Sequence, residues 1–367
     1  MNPLTEKQKF GMISKLIGVS IFFPYLRGFL VFPLYGSLFT YSFSRLRLSI
    51  FDIGYGASVL LFFLFKLQSL PIIDCIQIMR VYFGFYFFYL YFKSLPSLRF
   101  INFDRLALYV SLAVILEAIL INTVLDPRQL NVFPNFDSST GRTALFGFYQ
   151  RPYSIGSSPS VTGVLIAVLL SLSRLHYTTF KKSRLTELIS FLATLSLASG
   201  TGVIAFFLYF IGSIKKKFIL FLNVAFFLPF VFLVIYNTEQ FSKLSLWYIE
   251  YLIDFKFNQI HEYLSDTLLK GNLTELFWVG AFRGGEGAYG GDFGWLDYFG
   301  STGIVGLLLF IIFFISRVNS INKIPLFILI ITSFHYSAIT SVIGQILVGF
   351  CFALTGENTR KQEDNHV

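Results

Sequence analysis

YFGSTGIVGLLLFIIFFIS, residues 298–316, runs for nineteen residues without one charged side chain. An apolar run of about 20 residues is long enough to cross a bilayer as a helix. Five other stretches read the same way: 51–67, 72–92, 106–124, 158–172 and 218–236. Over its 367 residues the chain is 55% hydrophobic, 19% aromatic and only 13% charged. Soluble chains carry about 25% charged residues, so a water-soluble fold could not cover this much apolar surface. The sequence specifies an all-α polytopic membrane protein forming a single integral domain over 1–367.

The formal net charge of +9 points to topology and not to nucleic acid, because of where the cations fall. Lys and Arg gather on the cytoplasmic side of membrane proteins. Here they cluster as Lys7/Lys9/Lys15, Arg45/Arg47, Lys93/Arg99/Arg105, Arg174/Lys181/Lys182/Arg184, Lys215/Lys216/Lys217, Arg317/Lys323 and Arg360/Lys361, 19 of the 29 basic residues. If every cluster is cytoplasmic, the apolar stretches 16–42, 188–212 and 325–354 must each cross twice, giving about twelve helices with both termini inside. The stretch LISFLATLSLASGTGVIAFFLYFIG is short for two full spans at 1.5 Å per residue. Ser199-Gly200-Thr201-Gly202 in its centre reads as a break between two half-helices, with one long tilted helix as the alternative.

Lys7 and Lys9 precede an apolar stretch with no small-residue cleavage site after it, so the first segment is expected to stay as a helix. Cys75 and Cys351 lie in separate apolar segments and imply neither a disulfide framework nor a metal site. No nucleotide-binding Gly-rich loop, HExxH or CxxC pattern occurs, which leaves ATP-driven transport and zinc chemistry without support.

Two long outward loops follow from this topology, 126–157 and 237–297. The second holds Lys243, Lys256, Lys270 and Arg283 against nine acidic residues, an inverted balance expected of a translocated loop. Within it, Leu246, Ile249, Ile253, Phe257, Ile260, Leu264 and Leu268 recur at steps of three and four. That stripe specifies an amphipathic helix over about 244–269, lying on the membrane or capping the bundle. Trp247, Tyr248, Phe277 and Trp278 suit an interfacial depth, and His261 beside the stripe reads as a surface histidine.

Leading into that apolar run is GAFRGGEGAYGGDFGWLDYFG, residues 280–300, with eight glycines around Arg283, Glu286, Asp292 and Asp297. A Gly-rich run can be a mere tether, but a tether favours neutral polar residues over this charge set. Glycines such as Gly284 and Gly285 let backbone amides approach an anion closely. An arginine beside such amides makes a phosphate or pyrophosphate grip. The first loop contains Arg128 and Arg142 and ends in FGFYQRPYSIGSSPSVTGVLIAVLL, where Arg151 precedes Pro152 at the mouth of a span and Pro159 suits the span's first turn. Arg151 reads equally as a cation snorkelling to lipid headgroups and as a ligand-binding residue.

These segments resemble the O-antigen polymerase (Wzy-type) family, within the wider group that includes O-antigen ligases. QRPYSIGSSPSVTGVL is similar to the family's Arg…Gly…Pro segment entering a helix. LASGTGVIAFFLYFIG is similar to a segment that often reads Ser-Arg-Gly, without the arginine. GDFGWLDYFGSTGIVGLLLF is similar to the polar-aromatic-Leu run that leads into Gly-Ile-hydrophobic-Gly. The resemblance implies a GT-C-like glycosyltransferase that joins undecaprenyl-pyrophosphate-linked oligosaccharide units on the periplasmic face of the inner membrane, with no metal or other cofactor. A chain-length regulator and a flippase of the same pathway are its implied partners. It further implies that Arg151 and Arg283, with Arg142 and Arg128 behind them, stabilise the departing pyrophosphate. Ligases carry a histidine where this chain has Asp292, which favours polymerase over ligase. Asp292 is then the candidate base and Glu286 its competitor. Tyr153 and Trp295 are candidates for stacking on sugar rings, and Asp297 reads as a helix cap or interfacial residue.

Asp74, Arg80 and Arg27 sit near span ends, and His335 lies at the outer turn of the last hairpin, where it is a candidate cavity residue. A lipid-linked oligosaccharide flippase would place charge inside the bundle, and a secondary transporter would show paired broken helices in two repeats. Neither pattern is evident in the sequence.

Overall fold

The computed structural model describes residues 35–38, 48–95, 102–123, 149, 151–152, 154–156, 158–175, 184–213, 294–335 and 338–354, with isolated positions 254, 257, 258, 261, 262, 265 and 277. The described residues are helical and include no strand. Nine α-helices of ten or more residues occur among them: α1 (Ile50–Leu67), α2 (Ile72–Ser94), α3 (Phe103–Thr123), α4 (Pro159–Leu175), α5 (Arg184–Ser196), α6 (Gly200–Ser213), α7 (Gly294–Arg317), α8 (Lys323–Thr332) and α9 (Val342–Ala353). Four of these, α1, α2, α3 and α7, are long and apolar enough to cross a membrane. Their bounds fall within a few residues of the apolar runs in the sequence. The candidate span 218–236 and most of 16–42 lie outside the described residues.

Helices α1 to α6 alternate in direction, as do α7 to α9, and contacts at the helix ends show which ends lie together. Lys93 closes α2, Arg317 closes α7, and both reach Asp52 at the start of α1. Arg174, closing α4, pairs with Glu187 at the start of α5, and Tyr209, near the end of α6, donates to the same carboxylate. Thr186 in α5 donates to Asp104 in α3 at 3.0 Å. Asn322, just before α8, donates to the carbonyls of Arg317 and Cys351 at 2.9 Å each. Phe103 stacks edge-on against Phe350 of α9, and Gly212 of α6 lies against Ile324 of α8. One end of each of these nine described helices therefore lies on the side of the bundle that holds Lys93, Arg174 and Arg317.

Two packing groups make up the bundle. In the first, α2 lies along α9 and both touch α7, while α1 packs on α2 and α7. In the second, α4 is central and touches α3, α5, α6 and α8. The stretch with Ser199-Gly200-Thr201-Gly202 does break: α5 ends at Ser196, Ala198 takes a left-handed backbone (φ 46°), and α6 starts at Gly200. At 13 and 14 residues, each spans only about 20 Å. Ser199 and Thr201 are buried in the turn, and the Ser199 hydroxyl lies 2.9 Å from that of Ser160 on α4.

Where α4 crosses α6, Gly163 faces Gly202 so closely that a Cβ on Gly163 would sit 2.6 Å from the Gly202 Cα. Small residues at such crossings let backbones approach and gain dispersion contact where lipid offers no hydrophobic drive. Gly163→Val has no side chain to push aside, only backbone. It is expected to destabilise the protein by about 3 kcal/mol, the upper part of the overpacking range, read as a lower midpoint in denaturant titration of the detergent-solubilised protein. An unchanged midpoint would contradict this crossing.

Outside the helical group, large apolar side chains on α1, α3 and α7 such as Leu60, Leu116 and Ile315 are exposed, as lipid-facing residues are. Within 244–269 the described residues are α-helical, and Phe257 is 66% exposed.

Candidate active site

Two polar clusters lie deep in the first packing group, one at each end, and they differ in how their carboxylates are used. At the basic end, Asp52 is fully buried. As the third helical residue of α1 it closes a capping box with Ser49. Its Oδ2 accepts from the Ser49 amide (3.0 Å), the Ser49 hydroxyl (2.7 Å) and Lys93. Its Oδ1 accepts from the Tyr89 hydroxyl (2.9 Å) and from Arg317 (2.5 Å). The Arg317 guanidinium also stacks over Phe51 and Tyr89. Both carboxylate oxygens are thus saturated, and the cluster ties α1, α2 and α7 together.

At the other end the chemistry is open. Helix α7 breaks at Gly303, whose backbone (φ 65°, ψ −174°) only glycine adopts without strain. The break interrupts the ladder of hydrogen bonds, so carbonyls before it need other donors. Lys66, fully buried near the end of α1, donates to the Ser301 carbonyl at 2.7 Å. A cation there also opposes the negative end of the short half-helix. The Tyr82 hydroxyl of α2 lies 3.0 Å from Asp297 Oδ2 and 2.7 Å from the Ser301 hydroxyl. Tyr298 donates to the Tyr82 carbonyl at 2.8 Å, and Trp295 Nε1 donates to the Ile330 carbonyl of α8 at 3.1 Å. The half-helix 294–302 is therefore pinned to α1, α2 and α8.

The described residues just before α4 are fixed on the second packing group. The Tyr149 hydroxyl donates to the Ser196 carbonyl at the end of α5 (2.5 Å). Burial, with Glu117 adding to it, pushes this phenol above its usual range, so it remains a donor at neutral pH. Ser154, left-handed at φ 49°, opens a 3₁₀ turn over Ser154–Gly156 and gives its amide to Glu117 of α3 at 2.9 Å. Arg151, half-buried, lies between these two anchors. A second 3₁₀ turn, Ala338–Thr340, touches both α2 and α4 and so links the two regions.

Of the candidate catalytic and substrate-binding residues named from the sequence, Arg151, Trp295 and His335 are described. Arg128, Arg142, Tyr153, Arg283, Gly284, Gly285, Glu286 and Asp292 lie outside the described residues. Trp295 packs its ring against Tyr298, Phe310 and Phe334. His335 is exposed in the turn after α8, and His261 is exposed on its helix, with Ser265 3.5 Å away. Asp297, expected as a cap or interfacial residue, is half-buried in the first turn of α7, and its carboxylate accepts from the Tyr82 hydroxyl. The expectation of a bundle free of internal charge changes, since Asp52 and Lys66 are both fully buried, though each is near an end of α1.

Lys66, Tyr82 and Glu117 escaped the sequence reading. Lys66 and Glu117 carried a signal, since a charged residue in an apolar helix is costly and needs a reason, but their partners did not show in the sequence. Comparison with family models, curated proteins and solved structures finds no match for this chain. What fold and site define together is a class: an all-helical protein of the membrane-spanning type, with four helices fit to span and polar clusters at both ends of the bundle.

Proposed function

We propose that this protein is a membrane glycosyltransferase that polymerises undecaprenyl-pyrophosphate-linked oligosaccharide units into a surface polysaccharide, of O-antigen type, on the periplasmic face of a bacterial inner membrane. The observation that carries the reading is the setting of GDFGWLDYFGSTGIVG, the segment with the most specific resemblance. From Gly294 onward it forms a broken, pinned half-helix at the end of the bundle opposite the Asp52 cluster. In this reading Arg151 and Arg283 hold the pyrophosphate of the donor while its bond to the anomeric carbon breaks. The acceptor sugar's hydroxyl attacks that carbon, and a carboxylate near the break takes the proton, with Asp292 or Glu286 as candidates. Positively charged groups aimed at a developing leaving-group charge are the main catalytic resource expected of such a site. The two anchors around Arg151 are consistent with a positioned cation, because they restrict the backbone on both sides of it.

The flippase alternative gains one observation, the buried Lys66. Its engagement with a backbone carbonyl at a helix break, close to the end of α1, fits a structural support better than a transport path. The test is reconstitution of the purified protein in liposomes with a lipid-linked repeat unit. A ladder of lipid-linked oligomers supports the polymerase. Transbilayer movement of the unit without elongation would favour the flippase.

A further inference from the structure

Asp52 and Asp297 provide an internal comparison. Asp52 has donors on both oxygens and is fully buried, the pattern of a purely structural carboxylate. Asp297 is only half-buried. Its Oδ2 is held by Tyr82, and among the described residues its Oδ1 carries no hydrogen bond. An ionised carboxylate can only accept, so the Tyr82 proton points to Asp297, and Ser301 must then donate to the Tyr82 oxygen. The chain Ser301–Tyr82–Asp297 is thereby directional, and Lys66 on the Ser301 carbonyl places a positive charge behind it. The half-helix bearing Asp297 is fixed on three sides, as an acid–base group needs to be.

We infer that Asp297 is the proton acceptor of the transfer reaction, oriented by Tyr82, with Ser301 and Lys66 as positioning residues. This rests on the glycosyltransferase reading and moves the base from Asp292 and Glu286 to a residue with a defined partner. In the step, the acceptor hydroxyl's oxygen bonds to the anomeric carbon, and the donor's carbon–oxygen bond breaks, leaving its electron pair on the pyrophosphate. The acceptor proton passes to Oδ1 of Asp297 and afterwards to water at the non-basic end. The substrate class is a lipid-linked glycan with a free terminal hydroxyl.

The test uses the full chain in liposomes with a synthetic undecaprenyl-pyrophosphate-linked repeat unit, comparing wild type, Asp297→Asn and Tyr82→Phe at equal membrane content. Asp297→Asn keeps an acceptor for Tyr82 and nearly the same shape. It is expected to lower turnover by about 100- to 10,000-fold, the usual contribution of a general base, with little change in KM. Tyr82→Phe is expected to lower kcat by roughly 10-fold at unchanged KM, since it frees the carboxylate rotamer without removing it. Circular dichroism and gel-filtration profiles matching wild type exclude misfolding as the cause. Wild-type elongation retained in Asp297→Asn would overturn the assignment while leaving the polymerase reading standing. No elongation by the wild type would overturn both.

Discussion

Asp52→Asn is expected to lower the unfolding free energy by about 3 kcal/mol. Removing one member of a buried ion pair costs about 3–5 kcal/mol, because the partner is left as an uncompensated charge. Here two cations lose their counter-ion, Lys93 and Arg317. Their side chains are 26% and 17% exposed, so water screens part of the loss and the low end of the range applies. Asparagine still offers one oxygen to Ser49, so the helix cap largely survives and the deficit reports the charges. Denaturant titration in micelles measures it. A second variant adding Arg317→Gln should recover part of the stability, since it removes one of the stranded charges. No destabilisation by Asp52→Asn, or no recovery in the double variant, would mean that the cluster does not hold α1 to α2 and α7.

For activity, Arg151→Ala is expected to reduce turnover by about 100- to 1,000-fold, the loss seen when a preorganised stabiliser of transition-state charge is removed. Arg283→Ala should do the same if the two cations share the pyrophosphate. The Tyr149 and Ser154 anchors hold the backbone on either side of Arg151, so alanine removes the guanidinium without freeing the segment. Arg151→Lys should recover only part of the rate, because an ammonium cannot grip two oxygens as a planar fork does. Initial rates of elongation in liposomes decide the matter. Full activity of Arg151→Ala would return this residue to the role of a headgroup contact.

How far the sequence reached can be argued residue by residue. Helices α1, α2, α3 and α7 were legible because the bilayer demands a minimum apolar length and hydropathy registers it directly. The break at Ser199–Gly202 was legible because short polar and glycine residues in an apolar run have few other uses. The clusters at Lys93, Arg174 and Arg317 were legible as charge, and the structure gives them partners in Asp52 and Glu187. Lys66 was not legible: its partner is a carbonyl 235 positions away, exposed only because Gly303 breaks α7. Tyr82, at 215 positions from Asp297, was hidden for the same reason, since a tyrosine in a Phe- and Tyr-rich helix carries no mark of its contacts. The contact of Asp297 with Tyr82 was hidden too, because its place in the first turn of a helix matches a cap and only the fold brings it to α2.

The central claim is polymerisation, and the most direct measurement is the surface polysaccharide profile of the host after deletion of this protein. The account predicts that the ladder of long chains collapses to lipid A-core bearing a single repeat unit, and that the wild-type chain, but not Arg151→Ala, restores it. An unchanged ladder, or a core with no repeat unit attached, would contradict the account.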